Sequence, residues 1–315
     1  MKDENAKAPH LIVLIASILF GFTAILTKML IDTLTPIAVL VFRFIFLIFT
    51  YPLIVFAINK NTAREIFFLT KNELKTLLML SFFLVADMVL FFESFYFIDV
   101  SKALLLFLTY PIMSLIIARI FLNEGIGMTE IATTAISITG VFLIFWKNFN
   151  IGLFGFKGEM MVLAAAFLWA AYIVMNHHSG DSINHHKKTF WIFALNSLFL
   201  LPLLLLYGKP LAFLSIKPFH LVLLLTLSVF STLIPYALMS YAARSVKSST
   251  SSIILLLGPV LGVIASFAVL HEKPPMNVIA GGSFILMSAF ISTYSIQKLF
   301  AASKYYVKRV VGMFS

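Results

Sequence analysis

The chain has 315 residues, 61% of them hydrophobic and only 11% charged, with a formal net charge of +10 and no cysteine. A soluble domain is roughly half apolar and about a quarter charged, so this composition excludes a water-exposed globular surface and points to an integral membrane protein. The missing cysteines exclude disulfides and thiolate metal sites, and the positive balance is read against the two faces of a bilayer, with no nucleic-acid partner expected.

A membrane-spanning helix needs ~20 mostly apolar residues. Ten segments qualify in chain order: Leu11–Ile31, Pro36–Ile58, Leu74–Phe97, Ser101–Leu122, Met128–Trp146, Gly158–Asn176, Thr189–Tyr207, Pro218–Tyr241, Ser248–Leu270 and Met276–Ile296. The short, mixed-charge stretch Met1–His10 precedes a full-length apolar run, which reads as a first span and not as a cleaved signal peptide. With the N-terminus inside, fourteen Lys and Arg residues fall on the cytoplasmic side and seven outside. This bias orients both termini to the cytoplasm of a multi-pass plasma (inner) membrane protein. A basic tail, residues 298–315, is expected to lie against anionic headgroups.

The fourth and ninth spans carry a duplication. Tyr110-Pro111 runs to Glu124, and Gly258-Pro259 runs to Glu272, 148 residues later with the same Pro-to-Glu spacing. Phe20-Gly21 likewise matches Trp169-Ala170. The chain therefore divides into residues 1–150 and 151–297, five spans each. Because five is odd, the second set is expected to cross the bilayer upside down relative to the first. The expected fold class is all-α integral membrane: ten transmembrane helices in two inverted five-helix repeats, a plan suited to exposing a central site to either face in turn.

Several residues stand out within these spans. Pro111 and Pro259 each remove a backbone hydrogen bond and crowd the carbonyl four residues back, at Phe107 and Leu255. They are expected to bend two helices around a substrate path. Glu124 and Glu272 are expected to be structural carboxylates capping the helix that follows each. Arg43, Asp87 and Glu93 are charges inside spans, where they usually face a partner or a cavity. Arg43 lies ~10 Å and Asp87 ~15 Å from the same membrane edge at 1.5 Å per residue. An Arg43–Asp87 ion pair is therefore expected, with Glu93 nearer the outer vestibule. One of the two carboxylates is a candidate for binding a cationic or zwitterionic substrate, or for carrying a coupling proton.

Trp169, Tyr172, Tyr236 and Tyr110 are the aromatic cavity candidates. His177-His178 and His185-His186 read as a solvated loop and not a metal site. Thr133, Ser137 and Gly140, with Gly281, Ser288 and Ser292, form two small-residue stripes suited to close helix contact, joining either the two halves or two protomers. No nucleotide-binding, zinc-protease or nucleophile-elbow motif occurs, so neither an enzyme nor a cofactor is expected.

The doubled marks resemble the drug/metabolite transporter superfamily, EamA-type. They are Phe20-Gly21, Lys28, Pro36, Arg43, Ser101 to Ala103, Pro111 and Leu122-Asn-Glu124, then Trp169-Ala170, Ser248 to Ser252, Pro259 and Leu270-His-Glu272. The resemblance covers almost the whole chain. It implies a secondary transporter of small metabolites, commonly amino acids or related compounds and often outward. It also implies a cavity lined by the first four helices of each half, with the fifth and tenth peripheral and available for a homodimer. Phe20 stands where the family usually has Trp, and Asp87 and Glu93 are unusual for their helix. The expectation is an alternating-access transporter. The alternatives are a channel-like facilitator of small metabolites and a non-transporting ligand sensor.

Overall fold

Several helices begin where the sequence supplies a cap or a proline and continue through its apolar runs. At membrane depth no water serves the backbone, so each segment must bond its own N–H and C=O groups, which a helix does. The computed structural model describes residues 4–31, 33–58, 60–122, 128–146, 156–179, 183–207, 216–242 and 254–291. The first half comprises α1 (Glu4–Gly21), α2 (Thr23–Ile31), α3 (Pro36–Ile58), α4 (Lys60–Glu65), α5 (Lys71–Glu93), α6 (Val100–Phe107), α7 (Tyr110–Leu122) and α8 (Met128–Phe145). The second comprises α9 (Lys157–His178), α10 (His185–Tyr207), α11 (Pro218–Ser228), α12 (Ile234–Ala242), α13 (Leu257–Val269) and α14 (Met276–Ile291). Among the described residues six helical runs are long and apolar enough to cross a bilayer. Four shorter apolar helices, Val100–Ser114, Ile131–Ile144, Leu257–Val269 and Met276–Ile291, fall at the other four expected spans. The protein is an all-α membrane protein.

Local chemistry explains the starts. Thr70 and Glu73 form a reciprocal capping box at the head of α5, with Thr70 N–H donating to Glu73 Oε2 at 2.8 Å and Glu73 N–H to Thr70 Oγ1 at 3.3 Å, satisfying two orphan donors. Pro36 and Pro218 open α3 and α11, where a missing N–H leaves nothing unbonded. Pro111 and Pro259 also fall near the start of a helical segment, α7 and α13. They mark breaks within a crossing and do not bend a continuous helix.

Two glycine crossings draw the halves together. On α8 and α14, a Cβ on Gly140 or Gly281 would strike the other's carbonyl oxygen. Ser288 Oγ donates to the Thr133 carbonyl, and Asn277 Nδ2 to the Leu143 carbonyl at 3.2 Å. These contacts run in opposite directions along the two helices, so α8 and α14 are antiparallel. The small-residue stripes thus join the two halves of one chain; Ser292 lies outside the described residues. On α1 and α13, Gly258 N–H donates to Ser17 Oγ at 2.8 Å, and a Cβ on Gly258 would lie 2.7 Å from the Ser17 carbonyl oxygen. One on Gly262 would lie 3.0 Å from the Gly21 carbonyl oxygen. Here the contacts advance together, so α1 and α13 run parallel.

Among the described residues four crossings are interrupted: at Phe22 between α1 and α2, at Leu108-Thr109 between α6 and α7, at Leu256 before α13, and at a π-helical segment, Val229–Leu233, between α11 and α12.

Candidate functional site

The interruptions converge on a central cavity of ≈ 110 Å³, well above the ~10–15 Å³ that one water requires. Its walls are mainly aromatic: Phe20 from α1, Phe91 and Phe92 from α5, Phe107 from α6, Tyr110 from α7, Trp169 from α9 and Tyr236 from α12. The rings brace one another. Phe20 meets Tyr236 edge-on at 5.2 Å and Trp169 at 6.5 Å, while Phe107 lies 5.6 Å from Tyr110 and 6.4 Å from Trp169. Tyr172 stands behind this wall, stacked on Trp169 at 5.3 Å. Offset and edge-to-face arrangements of this kind fix ring positions.

Two ionisable side chains, Arg43 and Asp87, enter this apolar box. They do not form the expected ion pair, since no N–O contact within 4.0 Å joins them. The depths implied by sequence bring both to the same cavity, but depth does not fix the direction in which a side chain points. Arg43 donates to Met88 Sδ at 3.8 Å, and its guanidinium lies 5.4 Å from the Phe44 ring centre and 5.9 Å from that of Phe92. Arg43 Nε and Nη1 and Asp87 Oδ1 are buried with no hydrogen-bond partner. Cation–π contact compensates only part of a buried guanidinium's lost hydration, and an unpartnered buried carboxylate is costlier still. The cavity therefore holds unsatisfied hydrogen-bonding capacity on both a basic and an acidic side chain.

Polar backbone also reaches this region. Thr23, which lines the cavity just past the α1/α2 break, donates its hydroxyl to the Ser231 carbonyl at 3.3 Å. Ser231 lies in the π-helical segment, where Thr232 Oγ1 donates to the Leu227 carbonyl at 2.8 Å. Short π segments inside α-helices are frequent at functional sites.

The other sequence candidates are distributed differently. Pro259 lines the cavity, whereas on the matching segment the lining residue is Tyr110 and not Pro111. Glu93, half-buried at the end of α5, is not part of the lining. Glu272 is a cap, but of another helix. Its carboxylate accepts the Val100 and Ser101 N–H groups, both at 2.8 Å, at the head of α6 in the other half. The cause is local: His271 takes a left-handed φ of 54°, and the next helix begins only at Met276, beyond Pro274-Pro275. Glu124 lies outside the described residues. His177 and His178 end α9, and His185 and His186 open α10, so neither pair is in a free loop; His186 Nδ1 lies 3.0 Å from the Tyr51 hydroxyl, across the two halves.

Sequence reasoning missed several features. Phe91, Phe92 and Phe107 carry no signal that separates them from the chain's other phenylalanines. Glu159, in the first turn of α9, pairs with Lys102 across the halves and is buried. An acid at a helix start beside a full-length span was the available hint. The π-helical segment had no hint beyond the following Pro235.

An all-α membrane protein with an aromatic cavity that admits an arginine and an aspartate at the meeting point of interrupted helices has the architecture of a transporter. Residues 7–146 and 156–294 each match the EamA-like transporter family, and the chain belongs to that family. It is 25% identical over 297 residues to an uncharacterized transporter of Clostridium kluyveri, covering 93% of this chain and 95% of that one. It is 23% identical to the uncharacterized transporter YoaV of Bacillus subtilis, over 90% of this chain and 95% of the relative. An uncharacterized transporter of Archaeoglobus fulgidus is 28% identical over 169 residues, 52% of this chain and 57% of that protein. A crystal structure at 12% identity superposes with a TM-score of 0.67, covering 91% of this chain and 98% of the other, a likeness of fold.

Proposed function

We propose that the protein is a secondary active transporter working by alternating access, and that its substrate is a compact zwitterion or amine such as an amino acid. The observation that carries this reading is the unsatisfied pair in the aromatic cavity. A carboxylate on the substrate completes the Arg43 guanidinium's hydrogen bonds, and an ammonium group completes those of Asp87. The aromatic faces of Trp169, Tyr236 and Phe20 take the apolar part of the substrate and add cation–π attraction. A substrate bearing only one charge leaves the other protein group unpaired, which sets the preference for zwitterions.

The contact registers support two inverted halves. The parallel run of α1 with α13 and the antiparallel run of α8 with α14 fit five crossings followed by five in the opposite sense. Two such halves rocking about a shared cavity open it to each face in turn. Asp87 is the group placed to exchange its proton for substrate, and on this reading the inner membrane holds the protein with both termini cytoplasmic and net flux outward.

Proteoliposome counterflow tests the proposal. Vesicles preloaded with L-leucine, tyramine or propionate are diluted into the same radiolabelled solute, with and without a pH gradient. The reading expects saturable counterflow strongest for the zwitterion and driven by the gradient. Flux that never saturates, or counterflow for none of the three, rejects it.

A further inference from the structure

At the end of the bundle where Lys187 pairs with Glu73 at 3.0 Å, α3 hands over to the short helix α4, and a groove opens on the outer surface. It has a volume of ≈ 490 Å³, with Leu53 and Phe56 of α3, Ala63 and Arg64 of α4, and Phe67 and Phe68 of the following turn among its walls. Pro52 sits at its base inside α3. Leu53, Phe56, Phe67 and Phe68 are all exposed, as is Phe49 one turn deeper along α3, so the groove continues onto the face that meets lipid tails.

The groove is held open by the fold. Trp191 Nε1 donates to the Ile66 carbonyl at 2.8 Å, Ile66 is fully buried, and Phe67 meets Phe190 edge-on at 5.1 Å. These contacts tie the α4 turn to α10 and leave the ring faces of Phe56 and Phe68 outside.

Its mouth is cationic. Lys60 and Arg64 are one helical turn apart on α4 and so neighbour each other on its surface. Lys60 Nζ lies 5.5 Å from the Phe56 ring centre, which places a charge beside the apolar wall. Lys71 and Lys75 follow on α5. Of the two acids in residues 60–75, Glu73 is taken by Lys187, and Glu65 is outnumbered by Lys60, Arg64, Lys71 and Lys75.

We propose that this groove is a binding site for an anionic phospholipid. One acyl chain lies along Phe56, Leu53 and Phe68, and the phosphate sits between Lys60 and Arg64. A bilayer supplies the occupant at high local concentration, the walls match a hydrocarbon chain, and the paired cations match a phosphate. This site lies at the end of the bundle, outside the central cavity, and stands independently of the transport reading.

The test is lipid exchange on the purified full chain, with phosphatidylglycerol and phosphatidylcholine offered in equal amounts and the retained lipid counted by native mass spectrometry. Each cation near a headgroup contributes a preference of about fivefold, so wild type is expected to retain phosphatidylglycerol at least about fivefold over phosphatidylcholine. The Lys60→Ala/Arg64→Ala variant is expected to bring that ratio close to one. Leu53→Trp keeps both cations, fills the groove from an exposed position, and is expected to lose the tightly held lipid of either headgroup. A wild-type ratio near one, a preference that survives loss of both cations, or lipid retained unchanged by Leu53→Trp overturns the proposal.

Discussion

Two helix pairs join the halves across the central cavity, and they are built differently. On one side α5 and α9 are unbroken helices of 23 and 22 residues. On the other, α1 is interrupted at Phe22, and its partner α12 is reached through the π-helical segment Val229–Leu233. The unbroken pair supplies Asp87, Met88, Phe91, Phe92 and Trp169 to the cavity; the interrupted crossings supply Phe20 and Gly21 from α1, Thr23 from α2 and Tyr236 from α12. A charge whose position decides what binds is best carried by a helix whose hydrogen-bond ladder is complete. Backbone with a break or an extra residue per turn is where a helix changes direction. On the proposed transport reading, the difference gives recognition to the straight pair and movement to the broken one.

The sharpest way to break this division is to remove the charges. Arg43→Gln and Asp87→Asn each delete a charged partner for the substrate, a loss of roughly 1.5–3 kcal/mol per bond. Each is expected to lower kcat/KM in the counterflow assay about 10–100-fold while leaving the melting temperature near wild type. An equal fall in melting temperature would assign both residues to structure. The next largest effect concerns how closely α1 is held against α13. In Gly258→Ala the new Cβ meets the Ser17 carbonyl, a backbone atom that cannot turn aside, so a destabilisation of about 1–3 kcal/mol is expected on melting. Gly282→Ala is the control. Its Cβ meets the Leu105 side chain, both methyl groups at 2.6 Å and 2.8 Å and Cγ at 2.9 Å, and a side chain yields at a smaller cost than backbone. Equal melting shifts for the two would show that backbone contact is not what matters at the crossing.

A further variant probes the tie between the halves at Glu272. Glu272→Gln keeps the shape but replaces charge-assisted bonds to Val100 and Ser101 with weaker ones. The expected loss is about 1 kcal/mol of cap energy, read as roughly fivefold faster hydrogen exchange at those two amides. Unchanged exchange contradicts the cap. The smallest effect is reserved for Thr23→Val, which removes the hydroxyl bond to Ser231 and is worth about 0.5–1.5 kcal/mol. If the broken pair is the moving part, turnover changes a few-fold while substrate affinity stays constant; a change in affinity alone would move Thr23 to the recognition side.

Much of the fold could be read from composition and spacing. Apolar runs of span length located the helices, because the bilayer leaves a chain few other forms. The repeated Pro-to-Glu spacing located the paired breaks at α7 and α13. Arg43 and Asp87 were legible because charge at membrane depth is rare and must face something. What they face was not legible, since depth along two helices leaves open the rotation of each about its axis. Glu272 was expected to cap the helix that follows it; it accepts instead from Val100 and Ser101 at the head of α6, a target that depended on the left-handed turn at His271 and on tertiary packing. Phe91, Phe92 and Phe107 could not be distinguished among 34 phenylalanines, because an apolar ring facing a cavity and one facing lipid look alike in sequence.

The central claim is that the aromatic cavity is the substrate site and is open to each side in turn. The natural chain has no cysteine, so Thr23→Cys carries a single thiol within the lining. Membrane-impermeant maleimide is applied from one side of oriented proteoliposomes and then, in a separate sample, from the other, with and without L-leucine. The account predicts labelling from both sides, slowed by L-leucine and no longer slowed when Asp87→Asn is added. Labelling from one side only, at a rate that neither L-leucine nor any solute giving counterflow alters, would contradict it.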